Sequence, residues 1–138
     1  MKRIITLTGL KQSGKVKLAE TWDRNENVSY IRPVKNPKTT EEYLASAVVN
    51  GNTYVYYESQ LVNDFNVLIV DDYTLSDLLT NYPDVVTVWV DNPKAEPSER
   101  VNVLFTKDDF DYVYNVGLDD PSEWLEQLAF DVEMVQNG

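Results

Sequence analysis

Apolar positions along this chain form two kinds of run. Segments 3–8 (RIITLT), 67–70 (VLIV) and 85–90 (VVTVWV) are short, continuous and rich in β-branched residues. Runs of that length without polar alternation predict strands buried on both faces. Val28 to Ile31, stopped by Pro33, and Tyr112 to Val116 predict two further strands, and 53–57 (TYVYY) reads as extended. Between these lie apolar stripes at helical spacing. Lys17 to Trp22 carries Leu18, Ala19 and Trp22. Thr39 to Val49 carries Tyr43, Leu44, Ala47 and Val48, with a Thr39–Glu42 capping pair and Asn50-Gly51 as its stop. Leu75 to Leu79 predicts a short helix and Ser59 to Asn63 one more helical turn. Pro121 to Val135 predicts a final helix, with Asp120, Pro121 and Glu123 at its start and Trp124, Leu125, Leu128, Val132 and Val135 on its buried face.

Continuous strands alternating with helices predict an α/β fold around a mainly parallel sheet. Such sheets bind ligands at the carboxyl ends of their strands. The segment after residue 8 lies at such an end, as do Asp71, Asp72 and Asp91. No internal repeat or linker interrupts the pattern, so one domain over 1–138 is expected.

Composition narrows the chemistry. The chain has 138 residues, 43% apolar and 25% charged, which is a globular balance. No apolar run reaches the length of a membrane span, and the apolar stretch after Lys2 and Arg3 is too short for a secretory leader, so a cytoplasmic protein is expected. There is no cysteine and no histidine. That removes disulfides, thiolate chemistry and the commonest general base, and it argues against a zinc enzyme. The formal net charge is −11. An acidic surface of that size repels nucleic acid and anionic membranes, while a few focused donors can still hold a small phosphorylated ligand.

Such donors are present at residues 9–15 (GLKQSGK), which match GxxxxGK between a buried strand and a helix. Gly9 and Gly14 permit a tight turn and close backbone approach. The amides of Lys11, Gln12, Ser13 and the helix start, including Val16, then face a phosphate, and Lys15 reaches toward its outer oxygens. The full motif ends in Ser or Thr, whose hydroxyl holds Mg²⁺; here Val16 stands at that position. Asp71, after the apolar run 67–70, has the placing of a Walker B aspartate, the expected Mg²⁺ ligand. Lys11, Lys15 and Lys17 add local positive charge. Asp108, Asp109 and Asp111 lack the spacing of a calcium loop and read as a solvated turn.

In order along the chain, these motifs resemble the guanylate kinase family of P-loop nucleoside monophosphate kinases. Residues 28–35 (VSYIRPVK) are similar to the family's monophosphate-gripping element, with Arg32 and Lys35 on its two cations and Ser29 before them. Residues 40–43 (TEEY) resemble an acidic-aromatic helix start, and 51–54 (GNTY) the stretch whose tyrosine, here Tyr54, bonds the monophosphate. Residues 110–115 (FDYVYN) resemble the last strand. The resemblance implies a three-layer P-loop NTPase-type fold and transfer of a phosphoryl group from ATP to GMP or another nucleoside monophosphate, with Mg²⁺ as cofactor. In that scheme Lys15 and Arg100 are the catalytic residues: Lys15, with the loop amides, holds the donor, and Arg100 neutralises transition-state charge. The lid is reduced: 92–107 offers only Lys94, Arg100 and Lys107. An arginine over the transferring group is worth about 10³ to 10⁵ in rate. Val16 and the thin lid therefore also fit an inactive relative acting through a protein partner, as a phage accessory protein would.

Overall fold

The computed structural model of the chain describes residues 2–10, 13–38, 42–94 and 105–137, and side chains up to Val132. Among the described residues five strands form a parallel sheet: β1 (Arg3–Thr8), β2 (Val28–Ile31), β6 (Phe65–Ile69), β7 (Val86–Asp91) and β8 (Tyr112–Asn115). Their order across the sheet is β2-β6-β1-β7-β8. The chain leaves β1 toward β2 on one side and leaves β7 toward β8 on the other. The crevice at the carboxyl ends of β1 and β7 is therefore a topological switch point, where such sheets bind ligands.

Among the described residues three helices cover the sheet: α1 (Lys15–Trp22), α2 (Asp72–Asn81) and α3 (Pro121–Asn137). Strand alternation sends Ile5, Leu7, Val67, Val88 and Val90 to the α1/α3 face, where they pack with Leu18, Ala19, Trp22, Leu125 and Leu128. Trp22 is fully buried and stacks on Trp124, with ring centroids 5.6 Å apart. Its Nε1 donates to the Pro121 carbonyl, tying α1 to the start of α3. Trp89, half-buried, packs on the opposite face against Phe110. That face also holds Ile4, Leu68, Val70, Leu75 and Leu78. The Val135 side chain lies outside the description.

A second, antiparallel sheet is inserted between β2 and β6, in the order β3-β5-β4, from β3 (Val34–Lys35), β4 (Tyr43–Val49) and β5 (Asn52–Tyr57). Here one expectation is corrected. Residues 43–49 are a strand, so the helix expected over 39–49 and the helix start at 40–43 do not form there. Thr39 and its capping role lie outside the described residues. Asn50 and Gly51 both have positive φ, 51° and 79°, which is the two-residue hairpin geometry that matches strand twist. They turn the chain instead of ending a helix. The turn expected over Ser59 to Asn63 is shorter and earlier, a 3₁₀ turn at Glu58–Gln60.

Candidate functional site

The glycine-containing loop leaves β1 at Thr8 and enters α1 at Lys15. Its two glycines meet different demands. A Cβ on Gly9 would lie 2.6 Å from the Val90 carbonyl oxygen and 2.9 Å from Ser13 Oγ, so only glycine lets β7 and the loop come this close. Gly14 has φ 99° and ψ 16°, a left-handed conformation that costs glycine little. It has no side chain to cap α1, and no acidic residue sits in the first turn. The amino end of α1 thus presents backbone N–H groups and the positive end of the helix dipole at the switch point.

Lys15 folds back over this loop. Its Nζ donates to the carbonyls of Gly9 (3.0 Å) and Leu10 (2.8 Å) and to Ser13 Oγ (3.3 Å). Burial lowers its pKa from the ordinary lysine value of 10.5. The Ser13 side chain is buried, and the Ser13 carbonyl accepts from Asn92 Nδ2 at 3.3 Å, just past β7. Asn92 was not singled out from sequence; its one signal was its position at a strand end beside Asp91. Lys11, Gln12 and Arg100 lie outside the described residues.

The metal-binding chemistry expected of the loop does not fit its donors. The Val16 side chain has no oxygen to offer and is half-exposed. Asp71 caps α2, with Oδ1 accepting from the Thr74 N–H at 2.7 Å. Among the described residues, no three acidic, histidine or cysteine side chains gather as a metal group. Asp109 and Asp111 are engaged with the Thr106 and Thr87 amides. A Mg²⁺ held by the protein itself is not supported by this donor set.

The residues expected to grip a monophosphate are spread apart. Ser29 sits mid-strand and its Oγ accepts from Asn63 Nδ2 at 2.6 Å. Arg32 lies one residue past β2, and period-2 alternation decides where it goes. Tyr30 faces the α1/α3 core and Ile31 the opposite core. Arg32 follows Tyr30: it lies 5.0 Å over that ring and 3.6 Å from Glu20 of α1. Tyr54 is instead on the opposite side, lining a cavity of about 280 Å³ between the antiparallel sheet and the start of α2. Lys35 is its cross-strand partner, exposed at the sheet edge. Pro33, Val49, Tyr56, Ile69, Asp71 and Thr74 complete most of the cavity wall. The Tyr56 hydroxyl donates to the Ile69 carbonyl at 2.7 Å. Its pKa is raised by burial first, then by Tyr30 and Asp71. Tyr56 is a cavity residue that strand propensity alone did not separate from its neighbours.

The strand order, the switch point and the glycine loop entering α1 define an α/β fold of the P-loop NTPase type. In keeping with this, the chain is similar to the crystal structure of guanylate kinase from Anaplasma phagocytophilum, with a TM-score of 0.60 and 17% sequence identity over 97% of this chain and 86% of that one. At that identity the likeness is one of fold. No family model matches the sequence, and no curated protein matches it. No helix among the described residues is long and apolar enough to cross a membrane.

Proposed function

We propose that this chain binds a nucleotide by its phosphates at residues 9–16 and does not turn over nucleoside monophosphates efficiently. The observation that carries the reading is Lys15, whose amine lies over the loop on the Gly9 and Leu10 carbonyls beside an uncapped helix start. A phosphate would replace those carbonyls as the partner of the amine and would accept from the free N–H groups of the first turn. Ser13 and Gly14 shape the hollow, while Lys11 and Gln12 belong to the same loop by sequence.

Phosphoryl transfer to a monophosphate asks for more. It needs cations around the transferring group and a gripped acceptor. Arg32 is turned toward Glu20, and Val16 cannot help to hold Mg²⁺. These two features favour a binding role, including one in which a bound nucleotide regulates contact with a protein partner. Calorimetric titration with ATP and GTP, with and without Mg²⁺, tests the reading. Binding is expected, with a loss of about tenfold or more in Lys15→Ala, since a charge-assisted contact to phosphate is removed. No heat with any nucleotide at millimolar concentration, or affinity unchanged in Lys15→Ala, would refute it. A coupled assay with ATP and each nucleoside monophosphate is expected to show no ADP above background.

A further inference from the structure

Another cavity, of about 230 Å³, opens at the amino ends of the strands, the opposite end of the sheet from the glycine loop. Five residues of β1 separate Arg3 from Thr8, about 16 Å at the usual rise per residue. Ile4, Tyr82, Pro83, Val85, Val86 and Val132 give the cavity a largely apolar wall. Lys2, Arg3, Asn81 and Asp84 supply its polar groups. The backbone of Arg3 is tied on both sides: its N–H donates to the Asp64 carbonyl at 2.8 Å, and its carbonyl accepts from Asn66 Nδ2 at 3.2 Å. Its side chain has no such ties. Nη1 is buried with no hydrogen-bond partner, and the guanidinium has no ion pair among the described residues. Acidic residues outnumber basic ones 23 to 12 in this chain. A partly buried arginine without an acid beside it is therefore an exception, and it lacks the anion that ordinarily offsets its desolvation.

The charge balance sets the class of ligand. Lys2 and Arg3 bring two positive charges, and the exposed Asp84 returns one. The carbonyls of the last turn of α2, which ends at Asn81, add partial negative charge. Burial first, then Glu58 and Glu42 from farther off, raise the pKa of the Tyr82 hydroxyl. The balance suits one negative charge and opposes two. A guanidinium fork matches a planar carboxylate through two parallel N–H···O bonds. The volume lies below that of most ligand pockets and suits a molecule of about one ring. We propose that this cavity binds a small organic monocarboxylate, with its carboxylate on the Arg3 guanidinium and its apolar body against Ile4, Val86 and Val132. The site is separate from the glycine loop and does not depend on phosphate binding there.

The test is an ¹H–¹⁵N NMR titration of the full chain with sodium benzoate, beside benzamide, acetate and phenyl phosphate. Benzoate is expected to bind with millimolar affinity, in keeping with its few atoms, and to shift the amides of Arg3, Ile4, Val85 and Val86. Benzamide has the same shape without the charge, and is expected to bind about tenfold more weakly because a charge-assisted bond is lost. Acetate lacks the ring and phenyl phosphate carries a second charge, so both are expected to bind more weakly at these same amides. Arg3→Gln is expected to weaken benzoate by about tenfold or more. The ranking of the four probes is read on the native chain and needs no variant to fold. The proposal is overturned if benzoate leaves these amides unshifted or shifts only the glycine loop. It is equally overturned if any of the other three probes matches benzoate there, or if a folded Arg3→Gln chain keeps the benzoate midpoint.

Discussion

Gly9 and Lys15 carry the two sharpest residue-level consequences. Gly9→Ala places a methyl group against the Val90 backbone carbonyl and the buried Ser13 side chain, which have little room to give. We expect a loss of about 1–3 kcal/mol in chemical denaturation, the range for overpacking. On the proposed reading, Lys15 would make binding pH-dependent. Burial favours its neutral form in the folded chain, so between the lowered pKa and 10.5 the unfolded chain binds more protons. The Lys15 contribution to stability therefore rises with pH across that interval. Nucleotide affinity runs the other way, because phosphate favours the charged amine. ATP affinity measured from neutrality upward is expected to begin falling before pH 10.5, and Lys15→Arg to remove that decline because a guanidinium stays charged. At this scale the loop glycines and Lys15 were readable as a motif. The direction of Arg32 was not, because it depends on which core Tyr30 faces, and a four-residue strand does not announce that.

The elements of the parallel sheet followed from hydrophobic pattern. Their continuous apolar runs have no competing reading once helices alternate with them. The inserted sheet was harder. Tyr43, Leu44, Ala47 and Val48 fit helical spacing, yet Val48 and Tyr43 are exposed while Leu44 and Ala45 are buried. The spacing was coincidental, and Asn50-Gly51 before the extended TYVYY run was the stronger signal. Positive φ at both turn residues gives that hairpin a test of its own. Gly51→Ala is expected to cost about 1 kcal/mol, from the left-handed penalty on a side chain. Hydrogen exchange would show the lost protection concentrated in β4 and β5. The same hairpin carries Tyr54 and Tyr56 to the cavity, so an element misread as helix would also misplace a candidate site.

For the molecule as a whole, strand order does what no single motif can. It brings the ends of β1, β6 and β7 together and leaves the loop at the point where the chain reverses direction across the sheet. Asp71 and Asp91 then flank a loop that is the local exception in a chain of net charge −11. Lys107 lies 3.6 Å from Asp91 and partly offsets that charge. The fold thus sets the glycine loop and the uncapped start of α1 at the switch point, the arrangement on which the proposed phosphate binding rests. An ¹H–¹⁵N NMR titration with ATP tests the central claim most directly. The account predicts saturable shifts concentrated in the amides of Ser13, Gly14, Lys15 and Val16, with a midpoint raised about tenfold or more in Lys15→Ala. ATP shifts confined to other parts of the chain, or none at saturating concentration, would contradict it.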